Sequence, residues 1–225
     1  EIRFDPVADF HGTPGTLDVR LADNSTDLSS EVSTDADDLK DLSSVSVGGT
    51  GETGSWSEDS VSIETHVTNE NDPPSATGNP TSLSINEDAT DPANETVANL
   101  FDGVFNDGTD DQTDITGGDD NSTSLGGIAI VGNAANDSTE GTWQYSNDSG
   151  GSWNDIGTPD NTSALILPNE SRLRFMPVSN YNGTPGGLDV RLADADQSFN
   201  NSANISGAVG DDPNRDTDIW SNVTN

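Results

Sequence analysis

Four short acidic stretches carry the side chains whose types and spacing could do chemistry. They hold Glu70 and Asp72, Glu87 and Asp88, Asp107, Asp110 and Asp111, and Asp194 and Asp196. Carboxylate oxygens at this density are what calcium takes as ligands, about six to eight at a time with amides, carbonyls and water. The stretches at 70–72, 87–88 and 194–196 could meet at a domain junction, where an ion would remove hinge freedom. The loop Asn106-Asp-Gly-Thr-Asp-Asp111, with Asp114 beyond it, is a second candidate set. The competing reading makes all of these solvated turn acids.

Other chemistries find little footing. Cysteine is absent, so disulfides, zinc thiolates and thiol nucleophiles are excluded. His11 and His66 are the only histidines, and no Ser-His-Asp constellation is legible. Among 41 acids, carboxylate pairs of the glycosidase kind arise by chance. The chain is therefore not expected to be an enzyme.

The formal charge is −34, from 41 acids against 7 bases, with Lys40 the sole lysine. Nucleic acid and anionic membrane surfaces require basic patches, and both are excluded as partners. No apolar run approaches the length of a membrane helix. A charge this large repels itself unless counter-ions bind, which again points to divalent cations. Disorder and a salty habitat are alternative readings of the acidity. Against disorder, apolar residues recur with period two and the acids sit between those runs.

The elements that must position these acids follow from an internal repeat. Residues 1–23 and 172–194 agree at 15 of 23 positions without a gap, at a constant offset of 171. Each copy has Arg-Phe-x-Pro ending a strand, then the turn Gly12-Thr-Pro-Gly15 or Gly183-Thr-Pro-Gly186. An alternating strand follows, with Leu17, Val19 and Leu21 in one copy and Leu188, Val190 and Leu192 in the other. Further strands are expected at 61–67, around Ile128 and Ile130, around Trp143 and Tyr145, and at 165–167. Val97, Leu100, Phe101, Val104 and Phe105 instead fall at helical spacing. Residues 69–74 read as a linker ending in two prolines. Residues 1–70 are then the C-terminal part of one repeat, 71–74 the linker, and 75–225 a second repeat lacking its closing strand. Neither end reads as a signal peptide, and the chain reads as an excerpt. The expected class is all-β: tandem Greek-key, immunoglobulin-like sandwiches with one short helix.

Phe-x-Pro, then Asn180-Tyr-Asn-Gly-Thr184, then an alternating strand ending in Leu-Ala-Asp, resembles the cadherin-like tandem repeats of giant bacterial surface proteins and adhesins. Asn71-Asp-Pro-Pro74 is similar to their junctions, and Ile85-Asn-Glu-Asp88 to their early acidic pair. The resemblance implies a secreted, calcium-dependent, rod-like array used in adhesion or as a spacer. Asp194-Ala-Asp196 matches the acidic Asp-x-Asp of cadherins, but the first copy has Asp23-Asn-Ser25, and the linker reads Asn69-Glu-Asn-Asp72.

Ser146-Asn-Asp-Ser-Gly-Gly-Ser-Trp153 fits the Asp-box pattern, in which Asp caps a hairpin turn over a packed Trp. It resembles the boxes of sialidase-type propellers, but a single box does not predict a propeller. Stacking of Trp143 or Trp153 on sugar is the rival reading. Eleven Asn-x-Ser/Thr sequons, among them Asn24, Asn94, Asn121, Asn136 and Asn182, are glycosylation sites if the chain is extracellular, and compositional bias otherwise. Three functions remain in play: a calcium-stiffened extracellular rod whose partners are neighbouring repeats, a module gripping a cell-surface glycan or protein, and a filament subunit joined by strand exchange.

Overall fold

A computed structural model describes residues 2–23, 47–48, 56–57, 59–195, 202–203 and 220–221. The chain divides into two units: Glu1–Thr68 with Ile115–Gly118, and Asn69–Asp114 with Asp119–Asn225. Among the described residues the architecture is all-β, several mostly antiparallel sheets with one short helix.

In the first unit, β1 (Leu17–Val19) pairs antiparallel with β4 (Val61–Ile63), Leu17 opposite Ile63. Between them in sequence, β2 (Val47–Gly48) pairs parallel with β3 (Trp56–Ser57). Gly12, at φ 122°, bridges Val67 and Gly118.

The second unit runs β5 (Ser75–Ala76), β6 (Asn94–Thr96), α1 (Val97–Phe101), a 3₁₀ turn at Asp102–Val104, and β7 (Phe105–Asn106). Then come β8 (Leu125–Asn133), β9 (Gly141–Ser146), β10 (Asn154–Asp155), β11 (Ala164–Pro168), β12 (Arg172–Pro177), β13 (Leu188–Asp194) and β14 (Ser202–Ala203). Two four-stranded sheets result, ordered β10-β9-β12-β6 and β13-β8-β11-β14. Both feed one core. Leu173 of the first sheet meets Ile128, Ile130, Leu167, Val190 and Leu192 of the second, with Val97, Leu100 and Phe101 from the helix. The helical spacing read from the sequence thus becomes one turn, whose N-terminus is capped by the Thr96 side chain accepting from Asn99 N–H. The other face of the second sheet buries Ala129, Val131, Ala164, Ile166 and Ala193 with Trp220. Apolar contact on both faces explains why β8 reads as a continuous apolar run and not as an alternation.

The segment that carries Ile85-Asn-Glu-Asp88 forms no strand. Residues 77–93 contain no strand, and Leu83 and Ile85 are only half-buried over a cavity of about 880 Å³. Asn79-Pro80 and Pro92 bracket this segment and remove ladder donors. The linker residues 71–74 belong to the second unit, tied into it by side-chain hydrogen bonds.

Repeated sequence produces repeated geometry. Asp9 and Asn180, equivalent by the offset, both sit at positive φ (60° and 62°), which Asp and Asn tolerate best among residues with a Cβ. Phe10 N–H donates to Val7 O, and Tyr181 N–H to Val178 O. A serine closes the strand in both copies. Ser57 accepts from Leu21 N–H and donates its own N–H to Leu21 O, while Arg20 reaches Ser57 O. Ser221 makes the same three bonds with Leu192 and Arg191.

Burial separates the copies. Leu192 is fully buried, whereas its equivalent Leu21 is 58% exposed. Leu192→Ala should therefore destabilise the second unit by about 2–5 kcal/mol, and Leu21→Ala should change the first by no more than about 0.5 kcal/mol. Urea unfolding read by amide hydrogen exchange in each unit checks both values.

Candidate functional site

Buried carboxylates are the most costly feature of the second unit. Asp110 and Asp194 are fully buried, and Asp107 is 7% exposed. A buried carboxylate must be hydrogen-bonded, paired or neutralised. Each is placed by a specific piece of backbone. Asp194 ends β13 just past a register shift against β8 that separates it from Ala193. The chains are close there, since a Cβ at Gly126 would collide with the Asp194 carbonyl. Asp107 and Asp110 sit three apart in the loop after β7, where Asp110 N–H donates to Asp107 O. That turn sends both side chains inward and leaves Asp111 exposed, accepting from Thr113 N–H and Oγ1.

The linker joins these acids into a closed circuit. Asn71 Nδ2 donates to Asp194 Oδ2 at 3.1 Å, and Asp72 N–H donates to Asp110 Oδ2 at 3.2 Å. Asp110 and Asp107 repel each other, and Asp107 Oδ2 accepts from Thr123 N–H at 2.6 Å. Thr123 Oγ1 in turn accepts from Ala195 N–H, next to Asp194. Asp110 Oδ1 is buried and accepts no hydrogen bond among the described residues.

Its electrostatics follow. The Asp110 pKa is pushed up to about 6, first by burial and further by the charges of Asp107 and Asp72. The Asp72 N–H and the Asn69 side chain pull it the other way and do not offset the burial.

The sequence candidates thus scatter and regroup. Asp72 and Asp194 from the junction set join Asp107 and Asp110 from the loop set. Glu70 and Glu87 are exposed. Asp88, also exposed, accepts from Asn180 N–H in the 178–187 connection, at the opposite end of β13 from Asp194. Asp196 and Asn24 lie outside the described residues. Asn121, Asn136 and Asn182 are exposed, while Asn94 is half-buried and accepts from Arg172. Sequence reading missed Asn69, Asn71 and Thr123 as members of the circuit. The available signal was the amide-rich run Asn69-Glu-Asn-Asp72 itself.

The donors are all hard oxygens, which suits calcium rather than a softer metal. Among the described residues no group of three or more His, Cys, Asp or Glu side chains is drawn together well enough to hold an ion as it stands. The carboxylates are instead spaced around amide and N–H donors.

The Asp box forms a hairpin between β9 and β10, Tyr145 opposite Asn154. Asp148 accepts from Ser146 Oγ, Ser152 Oγ and Ser152 N–H, which lower its pKa to about 2. Both tryptophans have protein partners. Trp143 donates to Gly186 O and meets Phe175 edge-on at 5.2 Å, and the Arg174 guanidinium lies 4.0 Å from the Trp153 ring centre. No described helix is long and apolar enough to cross a membrane. No protein-family model, curated protein or solved structure matches the chain.

A raised carboxylate pKa has a definite sign in stability. Between pH 3.8 and about 6 the folded protein holds a proton on Asp110 that the unfolded chain has released. The stability this contributes is fully present below pH 3.8 and lost as pH rises through about 6, a loss of about 3 kcal/mol by neutral pH. In chelator, Asp110→Asn should flatten this part of the stability profile. Denaturant midpoints measured across the range in both proteins check it.

Proposed function

We propose that the chain is a non-enzymatic structural or adhesive module of a long extracellular protein, built from cadherin-like Greek-key β-sandwich repeats and stiffened by calcium. The observation that carries this reading is the convergence of Asp72, Asp107, Asp110 and Asp194, three of them buried, in a chain of charge −34. Leaving an ionised carboxylate buried at neutral pH costs stability, and a divalent cation turns that cost into binding energy. Asp72, Asp107, Asp110 and Asp194 would hold the ion, with the Asn69 and Asn71 amides within the same circuit. Asp110 Oδ1, which is buried and accepts no hydrogen bond among the described residues, would contact the ion. Binding would draw the other carboxylates from their N–H donors toward the ion.

The repeat supports the structural half of the proposal. Matching turns, matching serine closures and a 171-residue period are what a tandem array requires. Two faces sharing a core, with period-two strands, support the sandwich reading. The engagement of Trp143 and Trp153 with Gly186, Phe175 and Arg174 weighs against a sugar-stacking platform.

Thermal unfolding of the full chain in millimolar calcium and in chelator tests the proposal. Calcium present at about a hundred times its Kd adds about 2.7 kcal/mol, which corresponds to a Tm rise of about 5–10 °C. Asp194→Asn and Asp107→Asn should each remove most of that rise, and magnesium should not restore it. An unchanged Tm in calcium would overturn the calcium reading and leave the acids as a solubilising or halophilic surface.

A further inference from the structure

Strand β8 breaks its own alternation where it meets the acid circuit. Ile128 and Ile130 face the core between the two sheets, while Ala129 and Val131 face the opposite cluster with Trp220. Continued toward the start of the strand, that alternation would put Leu125 on the Ala129 face. Leu125 instead lies in the core with Ile128. The reversal falls at Gly126. Ala193 pairs with Gly127 and Asp194 with Leu125, so one step on β13 spans two on β8 and Gly126 is passed over. This is a β-bulge, a device that re-aims a side chain where a ladder ends.

The bulge bears directly on the site. It sets Asp194 opposite a core leucine, and both are buried. It also brings the end of β13 against the residues that precede β8. Ala195 N–H donates to Thr123 Oγ1 at 3.3 Å, and the same hydroxyl donates to Asp107 Oδ2 at 3.3 Å. From the other side Asn169 holds the bulge, its N–H donating to Gly126 O at 2.9 Å and its Nδ2 to Leu125 O at 3.0 Å. Between these neighbours residue 126 has no room for a Cβ. One placed there would collide with the Asp194 carbonyl oxygen and lie 2.8 Å from the Ala195 Cα. Both are backbone atoms, so neither can swing aside as a side chain would.

We propose that Gly126 and Thr123 are positioning residues of the cation site: the bare Cα of Gly126 lets the end of β13 approach, and Thr123 then couples Asp194 to Asp107. Neither residue is among the carboxylates that would hold the ion. They act by fixing where those carboxylates stand, as groups behind the ligands of a metal site do. A side chain at 126 would push Asp194 and Ala195 outward, away from Thr123 and from the Asn71 amide that donates to Asp194. The effect on ion affinity rests on the calcium reading of this site, whereas the coupling itself is made of hydrogen bonds that need no ion. Gly127 supplies a control on the same strand. A Cβ there would lie 2.5 Å from Leu167 O, against β11 and not against β13.

The test uses the full chain and four variants: Gly126→Ala, Gly127→Ala, Thr123→Val and Thr123→Ser. Calcium is titrated into each by calorimetry, and exchange of the Ala195 N–H and the Asn71 side-chain amide is followed by NMR in chelator. Gly126→Ala and Thr123→Val should each weaken calcium binding about 10- to 100-fold. Gly127→Ala should lower the stability of the unit yet leave the affinity unchanged, and Thr123→Ser, which keeps the hydroxyl, should leave it unchanged too. In chelator Gly126→Ala should speed exchange at both amides, and Thr123→Val at Ala195. Equal affinities for Gly126→Ala and Gly127→Ala, or for the two Thr123 variants, would overturn the proposal. Should Gly126→Ala fail to fold, the Thr123 pair decides. If the unchanged chain takes up no calcium, the calcium reading fails by itself and exchange in chelator decides the positioning. Faster exchange at Ala195 in Gly126→Ala and Thr123→Val than in their two controls then sustains it, and equal rates refute it.

Discussion

Mutual repulsion among the acids is the constraint under which everything else in this chain is arranged. With 41 acids and 7 bases, the fold cannot pair its negative charges internally. Among the described residues, several acids lie in turns, where side-chain hydrogen bonds hold them. Asp111, Asp120, Asp148 and Asp160 each accept from a Ser or Thr two residues on or nearby. The apolar residues are left to strands that need no charge. Among the described residues, Asp107, Asp110 and Asp194 depart from this division, and they sit where the linker, the loop after β7 and the end of β13 come together. A cluster that costs stability in the absence of a cation is a place where ion binding and folding become one equilibrium.

The duplicated segment separates two effects that are usually entangled. The turn is local: the same residues produce the same positive-φ turn and the same serine closure in both units. Burial is not local. Leu21 and Leu192 share sequence and the same serine hydrogen bonds, yet only Leu192 lies inside a strand and in the core with β8 and α1. Hydrophobic stabilisation of the second unit therefore belongs to the packing of its two sheets and its helix together, not to any one of them.

Much of the fold was legible because period-two alternation and turn chemistry are written in adjacent residues. The strands at 61–63, 125–133, 141–146 and 164–168, the helical turn at Val97 and the Asp-box hairpin all follow from such local patterns. The segment around Ile85 forms no strand, and Pro80 and Pro92 remove ladder donors on either side. The candidate site was legible only in its parts. Asp107 and Asp110 could be suspected from their loop, and Asp72 and Asp194 from the junction motif. That the two sets are one depends on the pairing of β13 with β8, a contact between residues about 55 to 70 apart in sequence. Asn71 was overlooked because its role is to donate, and a search for ligand oxygens passes over donors.

The attachment of residues 71–72 has a mechanical meaning. The polypeptide passes from the first unit to the second at residues 68–69. A tensile load entering along that path reaches the second unit first at the hydrogen bonds from Asn71 to Asp194 and from Asp72 to Asp110. Behind them stand β13 and β8, joined along most of their length. One bond ends on β13 and the other on the loop after β7, so the entering force is divided between a sheet and a loop. A few hydrogen bonds at the point of entry decide whether the chain peels or holds.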